Sequence, residues 1–449
     1  MIYSLLFLCC SQNNSVSFGP KKNKPNPQEP SSETTQDTAV NSDTDSSYAD
    51  ELTGPDLGPT PILNEDYNYA DLNLPQHYTD LNSPYGVIAS SDNTPQDNPI
   101  TDEGATLGRV LFYDKRLSRN DTTACSSCHI QSTGFSDPLR LSIGLYGDET
   151  HRHSMPLVNL RYYSSGEMFW DERASSIEDQ ALEAIQNPIE MDMPLELLEL
   201  KLERAEFYPP LFEAAFGDSH ITEERISKAI AQFVRSMVSF NSKYDQAFAN
   251  GENGVPNFED TFTELELLGN DLFGSVLNPS NADVVAEGSD EDTGAEEGVT
   301  SLRCDTCHRT AAHFSGLASG ALEDNLEGPF ATNNGLDIDT SADEGAGNGR
   351  FKSPSLRNIA VRGLFMHDGR FQSLEQVVEF YNSGVQDHPS LHRLLRQFIP
   401  ADHGDGFPPP VFFNLTTEEK DALVAFMETL TDETFLNDPR YSDPFAILE

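Results

Sequence analysis

Two five-residue words carry the chemistry of this chain: CSSCH at Cys125–His129 and CDTCH at Cys304–His308. In a C-x-x-C-H word two thiols lie one turn apart and can add to the two vinyl groups of a haem. The adjoining imidazole then reaches the iron as its proximal ligand, the attachment known as c-type haem. A zinc ribbon would need its two CxxC pairs about 15–20 residues apart, and these are far more widely spaced. A thioredoxin-like redox site would need a βαβ context, and no such alternation is present. Four of the chain's 6 cysteines are used in these words. The other two, Cys9 and Cys10, leave no cysteine for a structural disulfide in the body of the protein. The words predict two covalent haems, on Cys125, Cys128 and His129, and on Cys304, Cys307 and His308.

Helices must position these words. SSIEDQALEAIQNP opens on a capping box, Ser175 to Glu178, and stops at Asn187-Pro188. ITEERISKAIAQFVRSMVSF places Ile226, Ile230, Phe233, Val234 and Met237 on one face. SLEQVVEFYNSG starts at Ser373, repeats Leu374, Val377, Val378 and Tyr381, and ends at Gly384. TTEEKDALVAFMETL repeats Leu423, Phe426, Met427 and Leu430. No run of alternating strands is found, so the fold class is mainly α with much loop, as expected where a haem replaces part of a core.

Charge sets the surroundings. With 28 Lys and Arg against 74 Asp and Glu, the 449-residue chain carries a formal net charge of -46. Such a surface repels nucleic acid and anionic membranes and favours a basic or neutral partner. No Lys or Arg occurs between Lys24 and Arg109, and residues 11–60 read as a disordered tether. A second stretch without Lys or Arg precedes the CDTCH word, and its centre, about residues 280–300, reads as an acidic insertion. The start, MIYSLLFLCCSQNN, has an apolar run too short to span a bilayer. It resembles the end of a secretory signal without its positive region, or a lipoprotein start at Cys9 or Cys10. Either places the protein in the periplasm or another extracytoplasmic space, held to a membrane by a lipid anchor at most.

Four longer words resemble the bacterial dihaem cytochrome c peroxidases and their MauG-type relatives. They are LGRVLFYDKRLSRNDTTACSSCH, FWDERASSIEDQALEAIQNPIEM, RCDTCH and FKSPSLRNIAVRGLFMHDGRFQSLEQVVEFYNSG, spread in order over residues 100–430. The resemblance implies two cytochrome c-like helical domains, one per haem, at residues 61–255 and 256–449. The first haem would be the peroxide site and the second an electron-transfer or charge-storage site.

The resemblance also implies roles for single residues. Where the classical peroxidases place a histidine that blocks the first iron, SIGLYGDETHRHSMP has Leu145, which cannot ligate; His151 and His153 are near enough to substitute. At the second iron the MauG type uses a tyrosine, matched here by Tyr381, with Met366 as the alternative ligand. Trp170 takes the place of an inter-haem relay. Gln180 and Glu190 match distal residues that hold peroxide and move its proton. His367 matches a histidine near the second haem. A family calcium site maps to the carbonyls of Arg362 and Leu364, but its Asn position is His153, a poor ligand for Ca²⁺. The implied activity is reduction of hydrogen peroxide with a small donor, a cytochrome c or a cupredoxin. The alternatives are MauG-like oxidation of Trp or Tyr in a partner protein, and a non-catalytic dihaem electron carrier.

Overall fold

Helix caps define the architecture. In the computed structural model, residues 52, 58–81, 88–252, 254–274, 302, 304–308, 331–397 and 407–445 are described. Most of the expected tether, Cys9 and Cys10, and the acidic insertion lie outside them. All the described residues fall within one unit, Leu52–Glu449. Its helices of six residues or more are α1 (Asp102–Tyr113), α2 (Ile177–Gln186), α3 (Leu195–Glu203), α4 (Tyr208–Phe216), α5 (Glu223–Ser236), α6 (Lys243–Ala249), α7 (Glu264–Phe273), α8 (Leu374–Glu379) and α9 (Thr417–Glu428). The strands assigned among the described residues, β1 (Thr332–Asn333) and β2 (Arg350–Phe351), form one antiparallel pair.

Two helix crossings are built alike. Gly108 on α1 faces α5 so closely that a Cβ there would stand 1.9 Å from Ala229 O and 2.8 Å from Phe233 Cβ. Gly269 on α7 faces α9 the same way, with Ala422 O at 1.9 Å and Phe426 Cβ at 2.8 Å. Thr101 caps α1, and Thr263 and Thr416 close capping boxes with Glu266 and Glu419 on α7 and α9.

A second duplication links loop to helix. Phe169-Trp170-Asp171-Glu172-Arg173 aligns with Met366-His367-Asp368-Gly369-Arg370. Each word is closed by a single bridge, Met168 to Ala174 and Phe365 to Phe371. Each holds left-handed backbone at the same two places: Phe169 (φ 64) with Met366 (φ 72), and Glu172 (φ 58) with Gly369 (φ 65). A glutamate in that conformation costs roughly 1–2 kcal/mol that the glycine does not. Upstream, Asn159 and Asn358 are left-handed as well. Asn159 Oδ1 accepts from Ser239 N after α5, and Asn358 Oδ1 accepts from Asp432 N after α9.

The chain's end returns to the first helix pair. Arg109 Nε donates to Ser442 O (2.8 Å), Tyr113 OH to Tyr441 O (2.6 Å), and Tyr441 OH to Ser236 O (2.6 Å).

Local differences from the sequence reading have physical causes. The cap of α2 is Ser176, which accepts from Asp179 N, one residue later than the Ser175–Glu178 box. Glu178 instead forms an ion pair with the buried Arg235. Helix α5 stops at Ser236, leaving Met237 as its C-cap. The expected single helix from Ser373 to Gly384 is α8 followed by a π turn, Phe380–Gly384. Such wider turns rotate side chains and recur at functional sites.

Gly108→Ala should cost about 1–3 kcal/mol in denaturant unfolding, because the methyl group meets backbone rather than a yielding side chain. Gly363→Ala, with nothing within 4 Å of its Cβ, should stay within about 0.5 kcal/mol. Equal losses would contradict the close-crossing account.

Candidate functional site

Each CxxCH word forms a short 3-10 turn, Cys125–Ser127 and Cys304–Thr306. Cys125, Cys128, Cys304 and Cys307 form no disulfide. Burial pushes Cys125 and Cys304 up to about 12, and Cys128 and Cys307 to about 11. Neutral thiols of this kind are unlike reactive or metal-binding cysteines, which work as thiolates.

The two histidines are oriented in the same manner. His129 Nδ1–H donates to Phe135 O at 2.9 Å, and His308 Nδ1–H donates to Pro354 O at 3.1 Å. A proton held on Nδ1 in this way leaves the lone pair on Nε2, the arrangement usual for ligating histidines. Loss of hydration also holds His129 below the ordinary histidine value, favouring its neutral form. The thiols and imidazoles fit c-type haem.

On the first side, Gly144 lets two segments touch: its Cβ would lie 1.8 Å from Ile189 O. The next residue, Leu145, is buried, and its amide donates to Ile189 O at 3.0 Å and Glu190 O at 3.2 Å. Leu145 and Glu190 are therefore brought together. Asn187 Nδ2 donates to Glu190 Oε1 at 3.1 Å. Helical spacing puts half-buried Gln180 and Asn187, with exposed Glu183 between them, along one face of α2 and its end. Burial raises Glu190 to about 7, against the opposing pull of Arg173. The histidines named as substitutes are engaged elsewhere or exposed. His153 is buried, with Nδ1 at 3.2 Å from Leu139 O and 3.1 Å from Arg140 O, and Nε2 3.2 Å from Ser136 Oγ; His151 is exposed.

On the second side, one largely apolar cavity is lined by Cys304, Cys307, His308, Met366, Tyr381 and Trp170. Tyr381 and Met366 converge on Asn334, whose Nδ2 donates to Tyr381 OH at 3.3 Å and lies 3.9 Å from Met366 Sδ. Burial pushes the Tyr381 phenol up to about 12, so it stays protonated until a metal displaces the proton. The π turn carries Tyr381 into this cavity.

Trp170 and His367, equivalent in the duplicated words, meet edge to face at 6.5 Å. Trp170 Nε1 donates to His153 O (2.7 Å), and His153 N donates to His367 O (2.9 Å). His367 stacks on Phe351 at 3.8 Å and pairs with Asp337 at 3.1 Å. The residues around His153 do not fit calcium. Its imidazole is committed to carbonyls, and the guanidinium of neighbouring Arg362 is fully buried, donating to Ser355 O and Arg357 O. An imidazole at the expected Asn position and a guanidinium close by are both poor company for Ca²⁺, which takes hard oxygen ligands.

Asn334, Asp337 and Lys352 were not singled out in the sequence. The signal that could have found this junction is the alignment of the two duplicated words, which sets His367 opposite Trp170.

A family profile described as di-haem cytochrome c peroxidase matches residues 102–253. The chain is 30% identical over 346 residues to methylamine utilization protein MauG of Methylorubrum extorquens, covering 76% of this chain and 81% of that protein. It is also 30% identical over 306 residues to cytochrome c551 peroxidase of Nitrosomonas europaea, covering 66% and 78%. Among solved structures, a MauG-like protein associated with microbial copper homeostasis aligns at TM-score 0.59 and 30% identity, over 78% of this chain and 96% of that one. The diheme peroxidase BthA of Burkholderia thailandensis shares the fold at TM-score 0.51 and 20% identity, over 77% and 91%.

The raised Glu190 predicts a pH signature. Its neutral form stabilises the fold below the unfolded carboxyl value of about 4.3, and that stability is lost as pH rises through about 7. Glu190→Gln should therefore gain on wild type across this window by on the order of 1–3 kcal/mol in denaturant melts. Parallel stability curves would contradict the assignment.

Proposed function

Because the chain belongs to the di-haem cytochrome c peroxidase and MauG family, we propose that it reduces hydrogen peroxide at an open first haem. The observation that carries this reading is Leu145, buried against the Ile189–Glu190 backbone with no lone pair to offer. Bound through Cys125 and Cys128 and through Cys304 and Cys307, the haems supply one iron that cleaves peroxide and one that relays or stores an oxidising equivalent. Residues 61–255 and 256–449 would be the two haem-binding domains.

The chain's own groups do the rest. His129 and His308 would hold the two irons, their rings oriented by backbone carbonyls. Gln180 steadies peroxide by hydrogen bonding. Glu190, poised near neutrality and steadied by Asn187, takes the proton from one peroxide oxygen and returns it to the departing one. Trp170, which lines the second cavity, serves as the relay between the haems, and His367 braces it. Tyr381 would hold the iron of the second haem together with His308, and an anionic phenolate there would favour the oxidised side of the couple. Two protons and two electrons per peroxide give two waters.

The electrons come from a small donor protein, a cytochrome c or cupredoxin, whose basic face suits a chain of net charge -46. Tyr381 in the second cavity supports a second reading, MauG-like oxidation of Trp or Tyr in a partner protein. A pure electron carrier would need no peroxide-facing carboxyl such as Glu190. Nucleic acid is not a partner of so acidic a chain. The location is periplasmic or otherwise extracytoplasmic, with a lipid anchor at most. Among the described residues no helix is long and apolar enough to cross a membrane.

The rate of reaction with peroxide should rise with pH through about 7 as Glu190 ionises. Glu190→Gln should lower it by about 10²–10⁴-fold and remove the inflection; an unchanged rate would overturn the role of Glu190. Tyr381→Phe should alter the visible and EPR spectrum of one haem only. An unaltered spectrum would remove Tyr381 as ligand and leave Met366.

A further inference from the structure

Beside Trp170 lies a buried group of side chains that the peroxide chemistry does not use. Tyr163 is fully buried, and its hydroxyl makes a short hydrogen bond to Glu172 Oε1. Glu172 is itself buried, and its other oxygen accepts from Ala331 N at 3.0 Å. Lys352 joins this pair to Trp170. Its amide donates to Trp170 O at 2.8 Å, and its Nζ stands 4.6 Å from the centroid of the Tyr163 ring. The same Nζ lies 3.3 Å from Glu167 O and 3.5 Å from Met168 Sδ. Trp170 and Lys352 both line the cavity of the second haem site.

The conformation of Glu172 shows that its side chain matters. At the equivalent place in the second word the chain uses Gly369, which adopts left-handed backbone freely. Glu172 holds the same backbone (φ 58) against its preference. A strained residue of this kind persists where its side chain has work that outweighs the strain. A glycine there would leave the buried Tyr163 hydroxyl without this acceptor.

We propose that Tyr163 and Glu172 form a proton-coupled redox pair that takes one oxidising equivalent from Trp170. A phenol in a dry pocket cannot lose an electron and keep its proton, since the resulting cation would be unsolvated. With the proton acceptor already hydrogen-bonded, both can leave together. The Tyr163 O–H bond breaks, its electron passes to oxidised Trp170, and its proton moves to Glu172 Oε1. Tyr163 is left as a neutral radical and Glu172 as a neutral acid. An electron from the donor, with return of the proton, restores the pair. The inference rests on the proposed peroxide reaction for its oxidant in the cell.

The test uses the haem-loaded full chain and freeze-quench EPR without donor. The oxidant is either one equivalent of peroxide or a flash-excited ruthenium sensitiser with persulfate, which bypasses peroxide. The signal is scored as the difference between wild type and Tyr163→Phe, in protein carrying ring-deuterated or ordinary tyrosine. Wild type should give a tyrosyl signal that narrows on deuteration, and Tyr163→Phe should lack it. Glu172→Gln keeps an acceptor oxygen but cannot bind the proton as strongly, and should slow radical formation about 10²-fold. A signal from the sensitiser but none from peroxide would uphold the pair and overturn the peroxide reading. No tyrosyl difference with either oxidant, in variants whose haem absorbance matches wild type, would overturn the pair. Radical formation at the wild-type rate in Glu172→Gln would overturn the part assigned to Glu172.

Discussion

The buried carboxylate of Asp245 holds the molecule's parts in register. Arg357, fully buried, grips it with both terminal nitrogens, His77 Nε2 meets it at 2.9 Å, and Ser242 donates to it. Burial alone would raise this carboxyl, but Arg357 and His77 hold it well below the usual carboxylate range. A buried charge pair of this kind mainly fixes geometry, because its attraction is largely offset by lost hydration. The geometry it fixes is the segment around Arg357. Three residues before it, the Pro354 carbonyl orients the His308 ring. One residue after it, Asn358 ties down Asp432 beyond α9. The orientation of His308 is thus set from a contact on α6, in the other half of the chain.

Duplication supplies the scaffold, and departures from duplication supply the chemistry. Both halves cross helices at a glycine, orient a histidine through a backbone carbonyl and turn at a left-handed asparagine. They differ at Trp170 against His367 and at Glu172 against Gly369. They differ again where Leu145 and Glu190 meet on one side and the π turn delivers Tyr381 on the other. On the proposed reading, those few positions would make the two iron sites unlike, one left open beside Leu145 and one closed by the Tyr381 phenol.

Much of this was legible in the sequence because the signals are local. The CxxCH words, the Thr and Ser caps and the apolar faces of α5 and α9 depend on residues within a turn or two. What was not legible depends on contacts between distant segments. The cap of α2 moved to Ser176 because Glu178 is claimed by Arg235, 57 positions away. The π turn that presents Tyr381 leaves no periodic signal. The return of Tyr441 and Ser442 to α1 is carried by hydrogen bonds spanning about 330 residues. The calcium expectation rested on the backbone carbonyls of Arg362 and Leu364, and a word read that way does not display where the buried Arg362 side chain goes.

The central claim is that the first iron is open at rest because Leu145 faces it. Stopped-flow visible and near-infrared spectroscopy of the fully ferric protein, mixed with one equivalent of peroxide and no reductant, tests it directly. The account predicts rapid, stoichiometric loss of the ferric Soret band without prior reduction, and a near-infrared band if both haems share the oxidation. No reaction until the second haem has been reduced would mean that a ligand blocks the first iron, and would contradict the account.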